Sequence, residues 1–270
     1  MSTQVRSGAS GGLHPLLERL GWAVAGLALI GGLWFVAGLW LGANPTTKNF
    51  TTFGLVPTMQ AFPELWGAGK LQAATAASGY RLGMGLLIAI VIGVPVGVLM
   101  GRIKWFHNYT NSPFQFVRMI SPLAWTPLAV LVFATWNGSI IFLIAIAAVW
   151  PVMFATAAGL AKVDPAWFKV ARNLGASAWQ MLTQVILPAI MFDVLSGIRL
   201  ALGVAWIVLV PAEYLGVTSG LGYAIEDARE TLSYNHLTAL VVTIGVIGYF
   251  LDSILVVLIK RASWHRGGVV

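Results

Sequence analysis

The chain has 270 residues, 58% of them apolar, and carries 16 Lys and Arg against 9 Asp and Glu for a net charge of +7. Charged side chains make up only 9% of it, against about 25% in an ordinary soluble domain, so a soluble globular enzyme is excluded. A disordered chain is excluded by the high hydrophobicity, and the absence of cysteine removes disulfides, thiolate metal sites and cysteine nucleophiles.

A bilayer-crossing helix needs about 20 mostly apolar residues, and six stretches qualify. The first, 21–41, has Trp22, Trp34 and Trp40 near its ends. It follows a mixed leader and has no clean small-residue cleavage site after it, so it is expected to be an anchor rather than a cleaved signal. The second, within 72–100, carries Arg81 close to its start, where a first turn at the interface would account for it. The third, 116–133, opens with Arg118 and contains Pro122 and Pro127, which should bend it. The fourth, 139–160, has Pro151 inside, and only a short hairpin over 134–138 separates it from the third. The fifth, 194–215, has Arg199 and Glu213 near its two ends, and the sixth, 237–259, contains Asp252.

Orientation follows from Lys and Arg. With the N-terminus inside, the inner segments hold Arg6, Arg19, Arg102, Lys104, Lys162, Lys169, Arg172, Lys260, Arg261 and Arg266, while the outer ones hold Lys48, Lys70 and Arg229. That bias puts both termini in the cytoplasm. It divides the chain into a cytoplasmic tail (1–20), a membrane domain (21–260) and a second cytoplasmic tail (261–270). The outer segments contain a mixed stretch, 52–66, that could lie along the interface, and a glycine- and acid-rich stretch, 216–236.

The longest inner segment, 161–193, is amphipathic. Asp164 followed by Pro165 makes a helix start, a capping carboxylate and then proline at the first helical position. Trp167, Val170, Ala171 and Leu174 recur at helical spacing and form one apolar face. Gly175 stands where that helix should stop. A second short helix, 179–186, is expected after Ser177, ending at Leu187-Pro188. The result is a helix–turn–helix that a soluble partner could grip, or an ordinary amphipathic linker.

Catalytic signatures are missing. The string Gly67-Ala68-Gly69-Lys70 lacks the upstream glycine and the hydroxyl residue of a phosphate loop, so the chain should not hydrolyse ATP and is expected to be no enzyme by itself. His14, His107, His236 and His265 are scattered without metal-ligand spacing. Transport, channel or scaffold work is left.

Intramembrane charges normally face protein or water. Arg118 and Arg199 could attract an anion in the inner half of a path, or snorkel to the surface. Glu213 would repel an anion, so pairing with an Arg or with helix-end amides is expected; Asp252 could pair with Lys or Arg near the inner end. Gly93, Gly97 and Gly101 recur on one helix face and permit close packing. Trp125, Trp150 and Trp206 lie mid-span, as core or as the lining of a gate.

The inner segment resembles the coupling loop of ATP-binding-cassette importer permeases, whose motif is E-A-A, three residues, G, nine residues, I, one residue, L-P. Gly175, Leu187 and Pro188 fall at that spacing, with Val185 at the Ile position and Ala171 at the second Ala. Lys169 replaces the Glu and Val170 the first Ala; Ala176 follows the glycine. The strings 121–129, 197–206 with Ala212-Glu213, and 93–101 resemble the nitrate, sulfonate, taurine and bicarbonate permeases of that family, over roughly residues 69–264. The resemblance implies an all-α membrane protein of the type I importer fold, with about six transmembrane helices in the inner membrane. It implies a second, identical or related permease subunit, two ATPase subunits that bind ATP and magnesium, and an extracytoplasmic binding protein. It makes Lys169, Val170, Ala171, Gly175, Ala176, Val185, Leu187 and Pro188 the ATPase contact. Arg118, Trp125, Arg199, Trp206 and Glu213 are the candidates for the path or gate of a small anion. A stand-alone carrier or channel is the alternative, but the two halves show no repeat of the kind carriers carry.

Overall fold

The computed structural model describes residues 14–43 and 46–263, and every regular element among them is helical. In order these are α1 (His14–Ala43), a 3-10 turn (Lys48–Phe53), α2 (Leu55–Gly67), α3 (Lys70–Arg102), α4 (Lys104–Arg118), a 3-10 turn (Pro122–Trp125), α5 (Thr126–Val132) and α6 (Trp136–Ala161). Then come α7 (Pro165–Asn173), α8 (Ala178–Gln180), a π-helical turn (Met181–Ile186), α9 (Leu187–Tyr214), α10 (Leu221–Glu230) and α11 (Tyr234–Ser263). Five helical stretches are long and apolar enough to cross a membrane, and a bent pair, α4 with residues 122–132, makes up to six. Arg6 and Arg266, and with them most of the two expected tails, lie outside the described residues.

The centre is α6, flanked by α3 and α9. Ala89, Ile140, Ile144, Ala148, Val152, Ala201, Ala205 and Leu209 form its buried core. Between apolar helices in lipid there is little hydrophobic drive, so association depends on close packing. The glycine stripe of α3 supplies it within this chain. A Cβ on Gly97 would lie 2.5 Å from the Met153 carbonyl oxygen, one on Gly93 3.0 Å from Val152, and one on Gly101 2.9 Å from Leu160. A second cluster, Ala61, Leu65, Leu71, Ala228, Ala239 and Leu240, joins α2 and α10 to α11 at the Glu213 end of the bundle. By contrast, most of α1 over 21–43 is exposed, and it is tied to the rest through Trp34, whose indole N–H donates to the Phe53 carbonyl at 2.9 Å.

Two boundaries differ from the sequence reading. The third apolar stretch does not run straight over 116–133. Helix α4 starts already at Lys104 and closes with 3-10 bonds from Met119 N to Phe116 O and from Ile120 N to Val117 O. The chain then turns by 89° into residues 122–132. The cause is Pro122, which forces Ser121 out of the helical region (φ −55°, ψ 128°). The helix expected to end at Leu187-Pro188 does not end there but continues to Tyr214. The π turn over Met181–Ile186 widens the winding just where the Pro188 ring would otherwise meet a carbonyl of the preceding turn.

Candidate functional site

At one end of the bundle α7 forms a knob. Asp164 caps it, accepting from the Ala166 N–H at 2.8 Å, and Pro165 occupies the first turn. Gly175, at φ +79°, turns the chain, with Gly175 N donating to Arg172 O and Ala176 N to Ala171 O, both at 3.0 Å. A side chain at that φ costs about 1 kcal/mol or more, which is why glycine stands there. Ser177 then opens the next helix with a capping box. Its Oγ accepts from Gln180 N at 3.2 Å, and its own N–H donates to Gln180 Oε1 at 2.8 Å.

The knob is held down by a residue the periodicity argument passed over. Phe168 is buried against Leu160, Met181, Ile186 and Ile190, and the Arg102 guanidinium lies 4.5 Å above its ring. Of the expected apolar face, all but Ala171 points outward. Trp167 and Val170 are each 57% exposed, Leu174 is 82% exposed, and Trp179 beyond the turn is 71% exposed. Lys169, Gly175 and Pro188 are exposed as well, whereas Ala171, Ala176, Val185 and Leu187 are half-buried beneath them. The geometry is a supported turn with large apolar side chains on its outer face.

The opposite end holds a buried charge knot. Arg81 does not sit at an interfacial first turn, as the sequence reading allowed: it is 2% exposed. Its Nη1 donates to Glu213 Oε1 at 2.5 Å and to the Ser219 carbonyl at 2.8 Å. Its Nε donates to Asn137 Oδ1 at 2.8 Å, and its Nη2 to Ser219 Oγ at 2.7 Å. Glu213 also accepts from Ser78 Oγ at 2.7 Å and from the Gly222 N–H at 3.0 Å, while Ser78 accepts from the Leu221 N–H at 2.8 Å. Glu213 thus finds both partners expected of it, an Arg and helix-end amides, and its charge meets the positive end of α10. Arg81 was the residue the sequence reading missed; the signal was an acid and a base isolated at the same end of two apolar stretches.

The remaining candidates do not converge with that knot. Arg199 is held by Asp252 in a two-bonded fork, Nε to Oδ1 at 2.7 Å and Nη2 to Oδ2 at 2.8 Å. The pair is still nearly half exposed (45% and 43%). Arg118 is exposed at the end of α4, its guanidinium 5.1 Å from the Phe154 ring centre. Trp125 and Trp206 are half-buried and pack on the central cluster from the 122–125 turn and from α9. The Trp150 and Phe114 rings lie tilted at 56° to each other, with centres 5.7 Å apart.

Residues 89–264 match the family model described as the binding-protein-dependent transport system inner membrane component. The chain is 37% identical over 255 residues to the putative aliphatic sulfonates transport permease protein SsuC of Bacillus subtilis, covering 93% of this chain and 91% of that protein. It is 37% identical over 180 residues to the bicarbonate transport system permease protein CmpB of Synechococcus elongatus, covering 66% of this chain and 64% of that one. Among solved structures it resembles a chain of the MetNI methionine ABC transporter, with a TM-score of 0.59 at 17% identity, over 74% of this chain and 98% of that chain.

Proposed function

The chain belongs to the family of inner-membrane components of binding-protein-dependent transport systems, the permease subunits of ATP-binding-cassette importers, and from that premise we propose that it forms the membrane path for a small anion. A binding protein delivers the anion outside, and two separate ATPase subunits dock on the α7 knob inside. ATP and magnesium belong to those subunits. Both termini are cytoplasmic, and a second permease subunit, identical or related, completes the path. The observation that carries the reading is the knob: four exposed apolar side chains on a braced turn, Trp167, Val170, Leu174 and Trp179, a combination that a solvated linker avoids.

Anion cargo is supported by the relatives, whose names give aliphatic sulfonates and bicarbonate, with taurine and nitrate also within the resemblance. It is supported too by Arg118 and Arg199. Arg stays protonated when partly desolvated, and its planar fork suits an oxyanion. Arg118→Gln should lower uptake while leaving assembly intact. The test of the whole reading is the permease purified with its ATPase and binding-protein partners. Leu174→Glu together with Trp167→Glu should release the ATPase subunits and abolish substrate-stimulated ATP hydrolysis. Full retention of the ATPase by that double variant would overturn it.

A further inference from the structure

We infer that Arg199 and Asp252 form a contact point for a small oxyanion on a water-filled face between α9 and α11, Asp252 holding one edge of the guanidinium and the passing anion taking the other. The inference deepens the reading just given and rests on it.

Position comes first. Asp252 lies eight residues before Lys260 on α11, and Arg199 twelve residues after Leu187 on α9. At 1.5 Å per residue these are about 12 Å along α11 from Lys260 and about 18 Å along α9 from Leu187, distances that fall within a hydrocarbon layer about 30 Å thick. An ion pair nearly half exposed at that depth is expensive against lipid and belongs on water or protein. Nor is Arg199 free to snorkel away, because both of its bonds to Asp252 fix the guanidinium on α11.

Donor arithmetic comes next. A guanidinium has five N–H donors and two edges able to grip a carboxylate or oxyanion with paired bonds. Asp252 takes the Nε–Nη2 edge. Among the described residues no other protein acceptor is bonded to Arg199, which leaves the Nη1–Nη2 edge open. The counter-charge also suits transit, since a path must release what it admits. Arg199, Gly203 and Trp206 follow one another at helical spacing on α9. Gly203 has open space where a side chain would be, and the Trp206 indole nitrogen sits against Gly248, one turn from Asp252. The stripe is therefore charged, open and aromatic by turns.

The experiment uses the Cys-free chain in its full complex with ATPase and binding protein. Gly203→Cys should react with the anionic, membrane-impermeant reagent sulfonatoethyl methanethiosulfonate. Millimolar nitrate, bicarbonate or taurine, each tried alone, should slow that reaction in at least one case, and adding Arg199→Gln should slow it about tenfold. Reaction only with a lipid-soluble maleimide overturns the inference, placing the face on lipid and its headgroup phosphates. Reaction with neither reagent, or absence of protection by nitrate, bicarbonate and the taurine sulfonate alike, overturns it equally. The charge-swapped double variant Arg199→Asp, Asp252→Arg gives an independent check: it keeps the ion pair, so assembly should persist while uptake falls about tenfold or more. Normal uptake by the swapped complex removes the pair from the path. Retention of ATPase subunits by each variant is scored separately, because its loss bears on the permease reading and not on this site.

Discussion

Glu213 and Arg81, 132 residues apart in sequence, meet at 2.5 Å with their side chains 0% and 3% exposed. Through them α3, α9 and the start of α10 are fastened at one end of the bundle. Removing one partner of a buried ion pair leaves the other uncompensated, which costs about 3–5 kcal/mol. Arg81→Met and Glu213→Leu should each destabilise the purified permease by that order, and the double variant by clearly less than their sum. Thermal unfolding of the four proteins in detergent measures it. Strictly additive losses would mean the two side chains act independently.

Gly175 separates backbone from bulk, because a Cβ there would meet nothing within 4 Å while φ is +79°. Gly175→Val should therefore weaken ATPase binding by straining the turn, whereas Gly175→Asn, which tolerates the left-handed region, should retain most of it. Pull-down of the ATPase subunits with each variant checks this. Equal behaviour of the two would exclude the turn as the reason for the glycine.

The stripe on α3 gives a paired prediction. Gly97→Val would drive a side chain into the Met153 carbonyl oxygen and part α3 from α6, at about 1–3 kcal/mol. Gly83 has open space around it, and Gly83→Ala should be neutral or stabilise by about 0.5–1 kcal/mol. Melting temperatures of the two single variants decide the matter.

Orientation is open to thiol labelling because the chain has no cysteine of its own. In intact cells an impermeant reagent should modify Glu230→Cys and leave Arg261→Cys untouched. The opposite pattern reverses the topology argued from Lys and Arg.

Much of the architecture was legible because its cause is local. Six apolar runs set the spans, and Asp164-Pro165, Gly175 and Ser177 each act on their own backbone, so the knob and its turn could be read one residue at a time. The Glu213 pairing followed from the unfitness of a lone carboxylate in an apolar stretch for an anion path. What escaped depends on distant partners. Arg81 reads as an interfacial residue until Ser219, Asn137 and Glu213 converge on it. Phe168 reads as off-face until α9 arrives beneath it, and Pro188 reads as a stop because a proline's clash is local while the π turn that accommodates it is not. The bend at Pro122 is legible in kind from the proline, but not its 89° angle.

The continuity of residues 178–214 has a mechanical consequence. At 1.5 Å per residue this is a rod about 55 Å long, with the α7 knob at one end and Glu213 close to the other. Its length gives it the geometry of a lever arm: a tilt of about 5° about one end would sweep the far end through roughly 5 Å. The π turn at Met181–Ile186 sits beside the knob, where the rod's hydrogen-bond ladder is least regular. The least regular winding thus lies at the handle, and a tilt there would be carried along α9 toward the Arg81–Glu213 clasp.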